Sequence, residues 1–180
     1  MKIKKVLFLI AIIISTSYST ASLSEYNTNK IDFLNKLLGS YKKVGEGKFE
    51  WFWIDIYDMS LYTPSGEYYE NVWPLILKVK YLKNFSKKEL LDATNEEWSR
   101  QNISYKKKWI DQLRLLWKNV YKGDEITLFV DDDGISHFFL NQIYLGSVSD
   151  KDFTQAFVQI WLSENTLDPS LREQVIKGRL

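Results

Sequence analysis

The sequence predicts an α+β domain, with helices packed on a mainly antiparallel sheet. Three observations lead there. Apolar residues recur at a period of two after Gly47, Pro74 and Glu125. They recur at helical spacing after Lys30, Ser86, Ser104, Ser149 and Asp168. The resulting order is helix, strands, two helices, strands, two helices, and tight-turn residues punctuate the strand groups.

The first twenty-one residues are set apart from this domain. Lys2, Lys4 and Lys5 precede the apolar run "VLFLIAIII", and Ser19-Thr20-Ala21 places small residues where a signal peptidase reads. Residues 1–21 are expected to be a secretory signal peptide. Residues 22–43 then form an N-terminal segment with a short helix, and residues 44–180 the domain. The apolar run is too short to span a bilayer comfortably, so no stable membrane span is expected after cleavage. The chain has no Cys, so packing alone must hold an exported fold, and the expected location is the periplasm.

The elements follow in order. "KIDFLNKLLG" carries Ile31, Leu34, Leu37 and Leu38 at helical spacing and ends on Gly39. In "GKFEWFWIDIY", Phe49, Trp51 and Trp53 share one face, with Tyr57 in phase if the strand runs on. A bend is expected before "DMSLYTP", because a single strand of that length would be unusual. Pro64 and Gly66 mark a turn. After Pro74, Leu75, Leu77, Val79 and Tyr81 share the inner face of a strand, and Lys78 and Lys80 point to water.

"SKKE" at Ser86 is a capping box, and Leu90, Leu91, Thr94 and Trp98 continue the helical stripe to about Arg100. Ser104 is expected to start a second helix with Trp109, Ile110, Leu113, Leu116 and Trp117 on its apolar face. "EITLFVDDDGISHFFLNQIYLGSV" reads as a three-stranded meander turning at Asp133-Gly134. Ser149 and Asp152 open a helix bearing Phe153, Phe157, Ile160 and Trp161. Asp168-Pro169 is an N-cap followed by proline at the first helical position.

Several chemistries are excluded. Without residues 1–21 the chain holds 21 basic and 23 acidic side chains, since three of its 24 Lys and Arg and none of its 23 Asp and Glu are lost. That balance gives no nucleic-acid footprint. A single His and no Cys argue against a metal site of ordinary ligands. "DDDG" reads as a hairpin turn, because Phe129 breaks the alternation of acids that a calcium loop needs. "VGEG" lacks the Lys-Ser/Thr of a phosphate loop and leads into a strand. No cofactor is expected. Hydroxyls and ammonium groups beside aromatic walls remain, and these compose small-molecule pockets as well as ordinary cores.

"VGEGKFEWFWIDIYDMSLYTPSGEY", "LKVKYLKNFSKKELLDATNEEWSRQ" and "FFLNQIYLGSVSDKDFTQAFVQIWLSENTLDPSLREQVIKG" resemble, in this order, the exported bacterial branch of the chalcone isomerase-like proteins. The likeness runs from about Val44 to Gly178. It implies an open-faced β-sandwich, in which helices cover one face of a large antiparallel sheet and a ligand cleft lies between them. In the plant enzymes of this family a substrate phenolate closes onto its own enone. The protein supplies positive charge, hydroxyls near the ketone and a closed apolar site. Other members bind fatty acids through Arg and Tyr.

Carried over residue by residue, the resemblance places Lys48 where the plant enzymes have an essential Arg. Counting back from Tyr62, it places Tyr57 where they have a Thr. No tyrosine stands at the start of the helix after Phe85, where a catalytic one is expected, and Tyr81 is the nearest phenol. Asn95 matches the family's helix asparagine. The candidate ligand-binding residues are therefore Lys48, Tyr57, Tyr62, Tyr81 and Asn95, and no catalytic residue is assigned. Lys48 serves equally well as a solvated strand lysine, and Tyr57 and Tyr62 as core rings with hydroxyls near the surface.

The function expected is a periplasmic protein that binds an amphiphilic small molecule of fatty-acid or phenolic type, without true chalcone isomerase activity. The alternatives are an isomerase or lyase on another enone or phenolic substrate, and a non-enzymatic partner in an envelope complex using Tyr68, Tyr69 and Trp73.

Overall fold

A computed structural model describes Asp32 and residues 34–177. The expected signal peptide and the residues after Lys177 lie outside the described residues. A helical segment at 34–40 (α1) leads into β1 (Lys42–Trp51), β2 (Ile54–Thr63) and β3 (Leu75–Tyr81). Helices α2 (Lys87–Arg100) and α3 (Lys107–Leu116) follow, then β4 (Glu125–Val130), β5 (Ser136–Leu140) and β6 (Ile143–Val148). Helices α4 (Lys151–Leu162) and α5 (Pro169–Lys177) close the fold. The strands form one six-stranded sheet in the order β1-β2-β3-β4-β5-β6, and every neighbouring pair is antiparallel. The architecture is the α+β, open-faced arrangement that the sequence predicts.

Residue parity decides which side of each strand meets the helices. Met59 and Leu61 of β2, Leu75, Leu77 and Val79 of β3, and Ile126, Leu128 and Val130 of β4 belong to the main core. They meet Leu90, Leu91 and Trp98 of α2, Leu113 of α3, and Phe153, Phe157 and Ile160 of α4. The side chain of Trp98 is fully buried, and its indole N–H donates to the Ala156 carbonyl at 2.8 Å. That bond satisfies a polar group within a desolvated ring cluster and fixes α2 against α4. Ser86 caps α2 as the sequence predicts: it accepts from the Glu89 N–H, and the Glu89 carboxylate accepts from the Ser86 N–H.

Helix α1 lies apart from the other helices. Leu34, with Leu37 and Leu38, packs on Ile76, Phe129 and Phe139, which point away from the main core. The second face of the sheet is therefore partly covered.

Two local expectations are corrected. The stretch "WFWIDIY" is a hairpin and not one bent strand, because β1 ends at Trp51 and β2 begins at Ile54. Phe52 and Trp53 form the turn with φ of 47° and 67°. Trp53 leaves the face it was expected to share with Trp51 and is 96% exposed. The helix expected from Ser104 begins instead at Lys107, after an extended Lys106.

Candidate functional site

The β1–β2 hairpin creates the site. With the chain reversed at Phe52-Trp53, Phe49 stands directly opposite Tyr57, and Tyr57 opposite Tyr81 on the next strand. Directly opposed residues share a face. Phe49 stacks on Tyr57 with centroids 5.1 Å apart, Tyr57 meets Tyr81 edge-on at 6.3 Å, and Tyr81 meets Phe85 at 5.7 Å. This row of rings floors one end of a cavity of about 640 Å³ between sheet and helices. Leu77, Val79, Ile126 and Leu128 continue the floor, while α2, α4 and α5 supply walls. Ala93 and Thr94 of α2 line the same space. These small residues leave room that a side chain the size of Trp98, one turn on, would fill.

The polar groups in this apolar space are few. Tyr57 accepts the indole N–H of Trp161 at 3.0 Å and keeps its own O–H free to donate. Burial pushes its phenol well above the ordinary range, and the nearby charges of Tyr81, Asp168 and Glu97 push it further, against the Trp161 hydrogen bond. Burial alone raises Tyr81, whose hydroxyl has no hydrogen-bond partner among the described residues. Both are therefore neutral donors at physiological pH. Thr94 and Thr166 are spoken for, donating to the Leu90 and Ile160 carbonyls at 2.9 and 2.8 Å.

The charged lining residues are Glu89, Glu96, Glu97, Asp168 and Arg100. Glu97 grips Arg100 side-on, with Nε to Oε2 at 2.8 Å and Nη2 to Oε1 at 2.6 Å. Arg100 also donates to the Asn165 carbonyl. Asp168 accepts the Leu171 N–H at 2.9 Å as the N-cap of α5.

Of the five candidate residues, the structure brings Tyr57 and Tyr81 together at the cavity. Lys48 is not there. It pairs in register with Asp58, one residue from Phe49, and so points to the opposite side of the sheet, where its ammonium meets exposed Asp55 at 2.6 Å. Tyr62 is also on that side, packed with the α1 cluster, because it lies an odd step of five positions along the strand from Tyr57. Asn95 is half-buried on α2 and does not line the cavity. The residues that sequence reasoning left out of the site are Arg100, Glu97, Thr94, Trp161 and Asp168. The spacing of three between Glu97 and Arg100 was the available signal for their pairing. Among the described residues no group of His, Cys, Asp and Glu is arranged to hold a metal ion, and no helix is long and apolar enough to cross a membrane.

A sequence profile described as chalcone isomerase-like matches residues 42–176, the span that contains the whole sheet, helices α2–α4 and all but the last residue of α5. The chain belongs to the chalcone isomerase-like family. An uncharacterized protein of Haemophilus influenzae is 25% identical over 138 residues, covering 76% of this chain and 68% of that protein. The crystal structure of a fatty-acid binding protein of Arabidopsis thaliana superposes with a TM-score of 0.60 at 12% identity, over 77% of this chain and 88% of that one. At that identity the likeness concerns the fold: the chalcone isomerase-like sheet with helices over one face.

Proposed function

We propose that this chalcone isomerase-like protein binds an amphiphilic small molecule, with a fatty chain or a phenolic ring system, in the cavity between sheet and helices, and that it works in the periplasm. The cavity carries this reading. Its volume lies within the range of ordinary small-molecule sites, its walls are apolar and aromatic, and a few hydroxyls can orient one polar end. The fatty-acid binding protein of the same fold lends support from outside this chain. Binding without chalcone closure is favoured because a phenolate nucleophile needs a free positive charge. Lys48 is on the other side of the sheet, and Arg100 is already matched by Glu97. The periplasmic location rests on the signal-peptide pattern of residues 1–21.

The test is to purify the protein from its native compartment without detergent and analyse an organic extract by mass spectrometry. A stoichiometric amphiphile is expected from the wild type. It should be lost in Ala93→Trp, which fills the cavity from an exposed position on α2. An empty extract, together with no binding of added fatty or phenolic amphiphiles, would defeat the reading.

A further inference from the structure

The cavity's charges restrict which amphiphile can enter it. Among the described residues, one cation lines the space, against four carboxylates. The cation is engaged: Nε and Nη2 of Arg100 donate to both oxygens of Glu97, and Nη2 also reaches the Asn165 carbonyl. The Glu97 side chain is only 11% exposed and that of Arg100 40%, so the carboxylate is largely shielded from water while the guanidinium lies at the cavity mouth. Gln101 donates to Glu97 as well, at 2.8 Å, which fixes the carboxylate further.

Around the polar end, each element can be read in turn. The sheet contributes Tyr57 and Tyr81, both neutral. Helix α2 contributes the Glu97–Arg100 pair, with Glu89 and Glu96 at the exposed rim. Helix α4 contributes Trp161, whose indole N–H already serves Tyr57. Helix α5 contributes the carboxylate of Asp168. A ligand carboxylate placed there would face Asp168 and Glu97 with no uncommitted cation. The groups left to bind are donors: the O–H of Tyr57, the O–H of Tyr81, and Nη1 of Arg100, which takes no part in the Glu97 pair. Two neutral phenol hydroxyls and a guanidinium whose charge Glu97 already offsets call for a neutral oxygen acceptor.

Resting on the binding role proposed above, we infer that the cavity selects amphiphiles whose polar end is an uncharged hydrogen-bond acceptor, such as a fatty amide or alcohol, over free carboxylates, and that Glu97 sets this preference. Glu97 acts through Arg100: it cancels the charge that would otherwise draw in an acid. The aromatic row and the apolar floor hold the chain of either ligand alike, so the discrimination resides in the polar end.

The experiment compares laurate, lauramide and lauryltrimethylammonium, which share one chain, by calorimetric titration of the purified protein at neutral pH. Lauramide should bind at least about tenfold tighter than laurate, the size of effect expected from one unmatched charge in a partly desolvated site. Glu97→Gln should shift the laurate-to-lauramide ratio toward laurate by about tenfold, because the charge of Arg100 is then free. Laurate binding the wild type as tightly as lauramide at neutral pH would overturn the inference. Tighter binding of the quaternary ammonium would also overturn it, by making the site cation-selective. If none of the three probes binds, the cavity reading itself has failed and this inference falls with it.

Discussion

Trp161 on α4 donates its indole N–H to the hydroxyl of Tyr57 on β2 at 3.0 Å, joining elements 104 residues apart in sequence. The bond ties the helix layer to the first hairpin at the cavity floor, and its two ends are not equivalent. Removing the acceptor by Tyr57→Phe strands a half-buried N–H beside an apolar space, which costs about 1–3 kcal/mol. Removing the donor by Trp161→Phe leaves a hydroxyl that can still donate elsewhere. Urea denaturation should show Tyr57→Phe losing stability in that range of about 1–3 kcal/mol. A loss of only a few tenths of a kcal/mol would mean that the bond is dispensable.

Asp150 is a second tie, and it makes stability depend on pH. Its carboxylate caps α4 through the Asp152 N–H, accepts the indole N–H of Trp109 at 2.9 Å and meets the ammonium of Lys108 at 2.7 Å. The Lys108 and Trp109 bonds hold its carboxyl well below the usual carboxylate range, against the effect of burial. A group depressed in this way stabilises the fold above its unfolded value of about 3.9, and loses that contribution as pH falls toward the folded value. Asp150→Asn should therefore cost about 1–2 kcal/mol at neutral pH. The gap between variant and wild type should close progressively below about pH 4. Thermal melts across that window measure it; a gap independent of pH would contradict the assignment.

The Phe52-Trp53 turn is strained as built. Two side-chain-bearing residues hold positive φ where Asn-Gly would be favoured. Phe52 and Trp53 are also 76% and 96% exposed, so they return little packing. Replacing the pair with Asn-Gly should raise stability by about 1 kcal/mol through relief of the left-handed backbone. A calorimetric midpoint that falls would show that the rings hold the folded state together despite their exposure.

Legibility from sequence follows the reach of each signal. Strand β3 and helix α2 were readable because their apolar periods are strict and a capping box and a proline mark their starts. The first hairpin was not. Its turn carries Phe and Trp instead of the residues that announce a turn, so the period-two pattern runs through it unbroken. Placing the candidate site depended on that turn. Once Phe49 opposes Tyr57, Lys48 must face away and Tyr62 must follow it, whereas Tyr81 falls into line by register. The Glu97–Arg100 pair was visible as spacing along α2. Its position in a cavity depends on where α5 and α4 dock, and no local pattern encodes that.

That docking depends on a glycine. The Gly-rich start of β1, which offers no phosphate cradle, gives α5 a place to lie. A Cβ at Gly47 would stand 2.7 Å from Leu171 Cδ1 and 3.1 Å from Gln174 Cβ. Leu171 and the Asp168 cap form part of the cavity wall, so moving α5 off β1 reshapes the site as well as the core. Gly47→Val should cost about 1–3 kcal/mol by overpacking and should weaken ligand binding in the same step. Gly39→Ala serves as the comparison, because nothing lies within 4 Å of its added Cβ and the position is helical. That change should be neutral or slightly stabilising. If Gly47→Val melts and binds like the wild type, α5 has room to shift without consequence, and the close approach at β1 does not shape the cavity.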